Sequence, residues 1–271
     1  MGDNVEVIIL ASGSKGNALS ITNEGKHILI DVGISFLILS NKLNEQGINV
    51  DDIDTLLLTH EHHDHTKGLK TLLKKNNNIK VYLTLGTYQG LSDDVKETLI
   101  NYEIINSEES FKLENNLLVT PFLVSHDANE PVGFIIENDL KKVVLATDTG
   151  YIDEAYFGIL KNADLYILEA NHSTELLMKS SRPFHLKRRI VSEKGHLSNQ
   201  EAAWLVNNFI SERNQVIWAV AHISEDCNTV LEIEKTIVKV FDDPTKLIIK
   251  YTSQQTLEKI KLWLKLLRLV K

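Results

Sequence analysis

Short runs of β-branched and aliphatic residues, broken by glycine and asparagine, fill the first sixty positions. VEVIILAS, ALSIT and HILIDVG read as strands, with GSKGN and NEG as the turns between them. ISFLILSNKLNEQG has the spacing of a helix ended by Gly47, IDTLLLT that of a buried strand, and TKGLKTLLKK that of a second helix. Further on, LENNLLVTPFLVS, VGFIIE and KKVVLATD are strands, the last two joined by the turn ENDL. DLYILEAN and QVIWAVAHI are later strands, separated by helical stretches such as SNQEAAWLVNNFI. Strands that cluster first and then alternate with helices predict two sheets covered by helices. The closing TLEKIKLWLKLLRLVK reads as a basic amphipathic helix, with three uses open to it: capping the core, self-association or resting on a membrane surface. There is no internal sequence repeat or linker, so one body is expected, residues 1–252, with a helical 253–271 packed on it.

Charge and cysteine content narrow the picture. The chain has 271 residues, 29 basic and 37 acidic side chains, and a formal net charge of −8. An anionic partner such as nucleic acid must therefore meet a local basic patch, not a global field. Cys227 is the single cysteine, which excludes an internal disulfide and thiolate-rich zinc sites and fits a reducing compartment. The apolar run in MGDNVEVIILASG is too short for an export segment or a membrane span, so a cytoplasmic location is expected.

The densest chemistry lies in LTHEHHDHTKG, where four of the ten histidines fall within six residues, with an aspartate among them. As H-x-H-x-D-H it supplies His60, His62, Asp64 and His65. His60 and His62, two apart, point the same way from extended backbone; Asp64 and His65 sit where the chain turns into a helix. Imidazole and carboxylate suit zinc, manganese or iron. The metalloprotease pattern H-E-x-x-H is excluded, because Asp64 occupies the place of its second histidine. Two ions need more ligands than these four. His126 in LVSHDA, Asp148 in LATDTG and His222 in AVAHIS each follow an apolar strand run and would stand at a sheet rim, and a carboxylate such as Asp148 can bridge two ions. Singly each reads as a turn residue; beside the cluster they read as ligands.

The ordered set ASGSKGN, THEHHDH, VSHDANEPVGF, ATDTGY, LEANH, KGHLSN and AHISEDCN resembles the metallo-β-lactamase-fold hydrolases, and within them the YycJ/WalJ group of DNA exonucleases, over about residues 5 to 252. The resemblance implies an α+β fold, a four-layer αββα sandwich with two divalent metals, zinc or manganese with iron also suitable, at one edge between the sheets. It implies His60, His62 and His126 on one ion, Asp64, His65 and His222 on the other, and Asp148 bridging. Asp31, in HILIDVG, matches a strand-end aspartate that orients metal ligands; taken alone it is a turn residue. His63 has no place in the pattern and reads as a supporting or solvent-facing group. Cys227 stands where the group commonly has a polar residue.

These assignments suggest phosphodiester hydrolysis by a hydroxide held between the ions, oriented by Asp64, since a divalent metal lowers the pKa of bound water from about 15.7 to about 7. Glu169 in LEAN and His196 in KGHLSN resemble the glutamate and histidine that act together in the related ribonuclease Z enzymes, and would protonate the leaving group. Ser198 with Glu201 fits a capping box, and a helix start also accepts phosphate, so Ser198 and Asn199 have two readings. The segment KSSRPFHLKRRIVSEK carries Lys179, Arg182, Lys187, Arg188, Arg189 and Lys194. It is either a solvated face or a track for a DNA backbone. Ser14 and Asn17 in GSKGN, equally readable as a plain strand connection, and Asn171 in LEANH complete the candidate substrate contacts. Antibiotic hydrolysis is disfavoured, because Asp148 stands where many such lactamases have a cysteine. A 5′-to-3′ DNA exonuclease leads; a small-molecule phosphodiesterase or thioester hydrolase and an inactive metal-binding regulator are the rivals.

Overall fold

A computed structural model describes residues 5–210 and 215–262. Fourteen strands form two seven-stranded sheets. The first uses β1 (Val5–Ala11), β2 (Ala18–Asn23), β3 (Lys26–Ile30), β4 (Ile53–Leu57), β5 (Lys80–Leu83) and β6 (Tyr102–Ile104). The second uses β7 (Phe111–Lys112), β8 (Leu118–Leu123), β9 (Val132–Glu137), β10 (Lys142–Ala146), β11 (Leu165–Glu169), β12 (Val216–Ala221) and β13 (Leu247–Tyr251). β14 (Glu258–Leu262) returns to the first, whose order is β14-β1-β2-β3-β4-β5-β6, against β13-β12-β11-β10-β9-β8-β7 in the second.

Each sheet makes three antiparallel pairings and then three parallel ones, the change falling at β3 and at β10. The halves thus repeat in topology although the sequence shows no repeat. Alternation within the strands sorts the side chains. Val7, Ile9, Leu19, Ile21, Ile28 and Ile30 meet Phe134, Leu145, Ile167 and Ala219 between the sheets. Ile8, Leu10, Leu29 and Leu56 turn outward to the helix Phe36–Asn44 and the helix Leu69–Lys75. Trp218, Tyr166 and Phe209 fill the matching outer layer, beneath the helices Asn199–Phe209 and Val230–Val240. This is the expected αββα sandwich. No helix among the described residues is long and apolar enough to cross a membrane.

The C-terminal expectation needs correction. Glu258–Leu262 is a strand, antiparallel to β1 with Val5 opposite Leu262, so a boundary at 252 cuts through the first sheet. Its residues alternate with period two: Ile260 and Leu262 are buried in the inter-sheet core, while Lys259 and Lys261 reach Glu6. Burial of two aliphatic side chains and a full ladder outweighs the helical spacing. The rest of the expected helix, 263–271, lies outside the described residues.

Candidate metal centre

The chemistry-bearing residues collect at one edge of the sandwich, where strands end. After β4 the chain stays extended through His62 and enters a short helix, His63–Thr66, so the predicted helix begins inside the cluster. The His60 and His62 rings consequently meet, with centroids 4.7 Å apart. Two neighbouring loops hold this segment by backbone: Asn17 N–H donates to Asp64 O at 2.7 Å, and Val32 N–H to His65 O at 2.8 Å. The approach requires glycine, since a Cβ on Gly33 would lie 1.6 Å from Asp64 O.

Three non-glycine residues of the site, Asp31 (φ 57°), Asp148 (φ 55°) and His222 (φ 49°), adopt the left-handed conformation just beyond strand ends. It costs a non-glycine residue about 1–3 kcal/mol and clusters at functional sites. Asp31 accepts from Thr59 N–H at 2.9 Å and Thr59 Oγ1 at 2.8 Å, and lies 2.7 Å from His65 Nδ1. The carboxylate fixes the proton of His65 on Nδ1 and leaves Nε2 facing the centre. His126 is turned the same way, with Nδ1 3.2 Å from Gly195 O. The backbone N–H of His222 donates to Ser12 Oγ at 2.8 Å, and Asn171 Nδ2 lies 3.1 Å from its Nδ1.

Around Asp148 the imidazoles converge: His65 Nε2 at 3.0 Å, His222 Nε2 at 3.3 Å, His196 Nδ1 at 3.8 Å and His126 Nε2 at 4.0 Å. Asp64 Oδ2 is 3.8 Å from His65 Nε2 and 3.9 Å from His222 Nε2. Three groups have ligand atoms within 4.8 Å of one another: His60, His62 and His126; His60, His65 and Asp148; Asp148, His196 and His222.

Burial pushes His60 well below the usual histidine range, reinforced by neighbouring His65. It opposes charge on His65 too, but Asp31 and Asp148 outweigh it and hold that ring well above the range. The same contest, won chiefly by Asp148 and Asp64, raises His222 to about 9. Burial also opposes the Asp148 charge, yet His222 and His65 keep it well below the carboxylate range. Buried His60 Nε2, His222 Nε2 and Asp148 Oδ2 have no hydrogen-bond partner, an arrangement that normally demands an explanation. Nitrogen and carboxylate donors of this kind fit divalent cations, which replace the protons such rings otherwise carry.

Beside the cluster, Glu169 is fully buried and accepts Thr149 N–H at 2.8 Å and Leu197 N–H at 3.2 Å on one oxygen. Its other oxygen is 3.0 Å from His196 Nδ1. His196 retains 14% side-chain exposure, so its second nitrogen can reach a substrate.

Several expected substrate contacts are otherwise engaged. Ser198 caps the Asn199–Phe209 helix reciprocally with Glu201, and Asn199 pairs with Asn228 in the interior. Asn171 orients His222, and Asn17 Nδ2 lies 3.0 Å from His65 Nε2; both side chains are buried at the centre. Ser14 is exposed on its turn. In the basic segment Lys179 pairs with Glu175, Arg182 with Asp226 and Arg189 with Asp127, and Lys187 donates to Met178 O and Ser180 O. These cations brace the segment, whereas Arg188 and Lys194 are exposed. His63 is exposed, and Cys227 is buried against Leu177 and Ile190.

Sequence reading missed Thr59, Ser12 and Asp127. Thr59 Oγ1 touches Asp31 and lies 3.0 Å from His60 Nδ1, and Asp127 Oδ1 is 3.3 Å from His126 Nε2. Adjacency to a candidate ligand was the available signal for Thr59 and Asp127, and a place in the ASGSKGN motif that for Ser12.

Residues 26–216 match the family model described as a β-lactamase superfamily domain. The chain is 34% identical over 220 residues to the exodeoxyribonuclease YycJ of Bacillus anthracis, covering 81% of this chain and 83% of that one. It is 35% identical over 222 residues to the exodeoxyribonuclease WalJ of Streptococcus pneumoniae, covering 81% and 82%. The fold also superposes on YhfI, a metallo-β-lactamase fold protein of Bacillus subtilis, with a TM-score of 0.71 at 15% identity, covering 95% of this chain and all of that one. On the family match and these identities, the chain belongs to the metallo-β-lactamase superfamily.

Proposed function

We propose that this metal-dependent hydrolase cleaves phosphodiesters of DNA, as an exonuclease working from the 5′ end. The observation that carries the reading is the Glu169–His196 pair, 3.0 Å apart at the edge of the metal cluster. Its buried carboxylate fixes the imidazole proton on Nδ1, and the partly exposed ring directs Nε2 outward to protonate a leaving oxygen. The two relatives, named exodeoxyribonucleases at 34% and 35% identity, support the same substrate class.

Here His60, His62 and His126 would hold one divalent ion and Asp64, His65 and His222 a second, with Asp148 shared; zinc, manganese and iron all suit these donors. Once bound, such a pair supplies Lewis acidity toward phosphoryl oxygens and water acidic enough to attack at neutral pH. Asp64, with 26% side-chain exposure, stands where it can orient the attacking water. Asp31 and Asn171 keep His65 and His222 aimed inward. Although a ring nitrogen of His196 lies within 4.8 Å of ligand atoms of Asp148 and His222, its Nδ1 is committed to Glu169, so it acts as the acid and not as a ligand. A cytoplasmic site of action goes with this reading, Cys227 being a buried free thiol.

The test incubates metal-loaded protein with single- and double-stranded DNA labelled at either end, beside Asp64→Ala and His196→Ala. Wild type should release label from the 5′ end first. Asp64→Ala should abolish cleavage, and His196→Ala should slow it by about 10²–10⁴-fold with metal content unchanged. Equal trace activity in wild type and Asp64→Ala sinks the nuclease assignment; hydrolysis confined to small diesters or thioesters replaces it with the small-molecule reading.

A further inference from the structure

On the outward face of the Phe184–Ile190 helix we propose a subsite for single-stranded nucleic acid, in which an unpaired base stacks on Phe184 and the adjoining phosphate is held by Arg188. The proposal rests on the nuclease reading and names the form of the substrate. Leu186 and Ile190, four apart, dock this helix on Leu177 and Cys227. At about 100° per residue, Phe184 and Arg188 then share the opposite side. Phe184 is 72% exposed there, a large aromatic side chain left mostly in solvent.

Beside it lies an open depression of about 330 Å³ lined by His185, Arg188, Arg189 and Ser192. Arg189 is tied to Asp127, and Asp127 in turn lies 3.3 Å from His126 Nε2, so one wall of the depression abuts the metal cluster. Arg188, by contrast, makes no hydrogen bond or ion pair with any described residue. In a chain of net charge −8, an uncommitted guanidinium on the same helix side as an exposed aromatic ring, one position before the Arg189 that pairs with Asp127 beside His126, complements a phosphate joined to a base. Only an unpaired base has a free π-face to offer, which selects single strands or frayed ends over closed duplex.

The test measures binding of metal-loaded full-length protein to a fluorescent, cleavage-resistant phosphorothioate oligonucleotide, single-stranded or as a closed hairpin duplex. Phe184→Ala should weaken single-strand binding about tenfold or more, Phe184→Trp should retain it, and Phe184→Leu should not restore it. Hairpin binding should be unaffected in all three. Arg188→Gln should reduce the slope of log affinity against log salt by about 0.7. Unchanged single-strand binding in Phe184→Ala, equal losses on strand and hairpin, or full recovery with Phe184→Leu each overturn the subsite. The nuclease reading fails separately, if wild type binds but cleaves no ordinary phosphodiester.

Discussion

Asp31 and Asp148 occupy corresponding places in the two halves of the sandwich. Asp31 directly follows β3 and Asp148 lies two positions beyond β10, the strands at which antiparallel pairing gives way to parallel. Both take the left-handed backbone, with φ of 57° and 55°. Their carboxylates are not alike in use. Asp31 is saturated by Thr59 and His65, whereas Asp148 faces four imidazole nitrogens and keeps Oδ2 without a hydrogen bond. One strand-end device thus serves two ends. Where protein donors fill the lone pairs, the carboxylate holds a neighbouring side chain; where they are withheld, it is open to the cation proposed above.

Asparagine at each position breaks the comparison most directly, because it tolerates the left-handed backbone and removes only the charge. Asp148→Asn should produce the largest effect, a loss of activity on the order of 10³-fold together with a fall in bound metal below two ions, measured by kinetics and elemental analysis. Asp31→Asn should cost about 10–100-fold in metal affinity, read by chelator competition. If the two variants are equally damaging, the proposed division of labour between them is wrong. Thr59→Val, which removes one hydroxyl donor to Asp31, should cost about 1–2 kcal/mol of stability, seen as a lower urea midpoint. An unchanged midpoint would mean that Asp31 is satisfied without it.

The ligand candidates were legible on two signals: the tight spacing of His60, His62, Asp64 and His65, and the apolar runs before His126, Asp148 and His222, since a rigid strand delivers the side chains at its end to a sheet rim. The supports were not, since the bonds of Asp31 to Thr59 and of His222 to Ser12 span 28 and 210 positions. For the basic segment, sequence reported charge but not commitment: Arg182 and Arg189 look like Arg188 until Asp226 and Asp127 appear opposite them. β14 was misread for a different reason. EKIKL satisfies a period of two as well as one of 3.6, and only a vacant edge on β1 decides between them.

That edge bears on the order in which the molecule can be made. β1 is synthesised well before its outer partner, which lies more than 250 positions further along, with Val5 opposite Leu262. At about 5–20 residues per second, the ribosome leaves the apolar ladder VEVIILA open on one side for on the order of ten seconds to a minute. During that interval the nascent chain carries an unpaired hydrophobic strand edge, the feature by which β-proteins are most readily captured by copies of themselves.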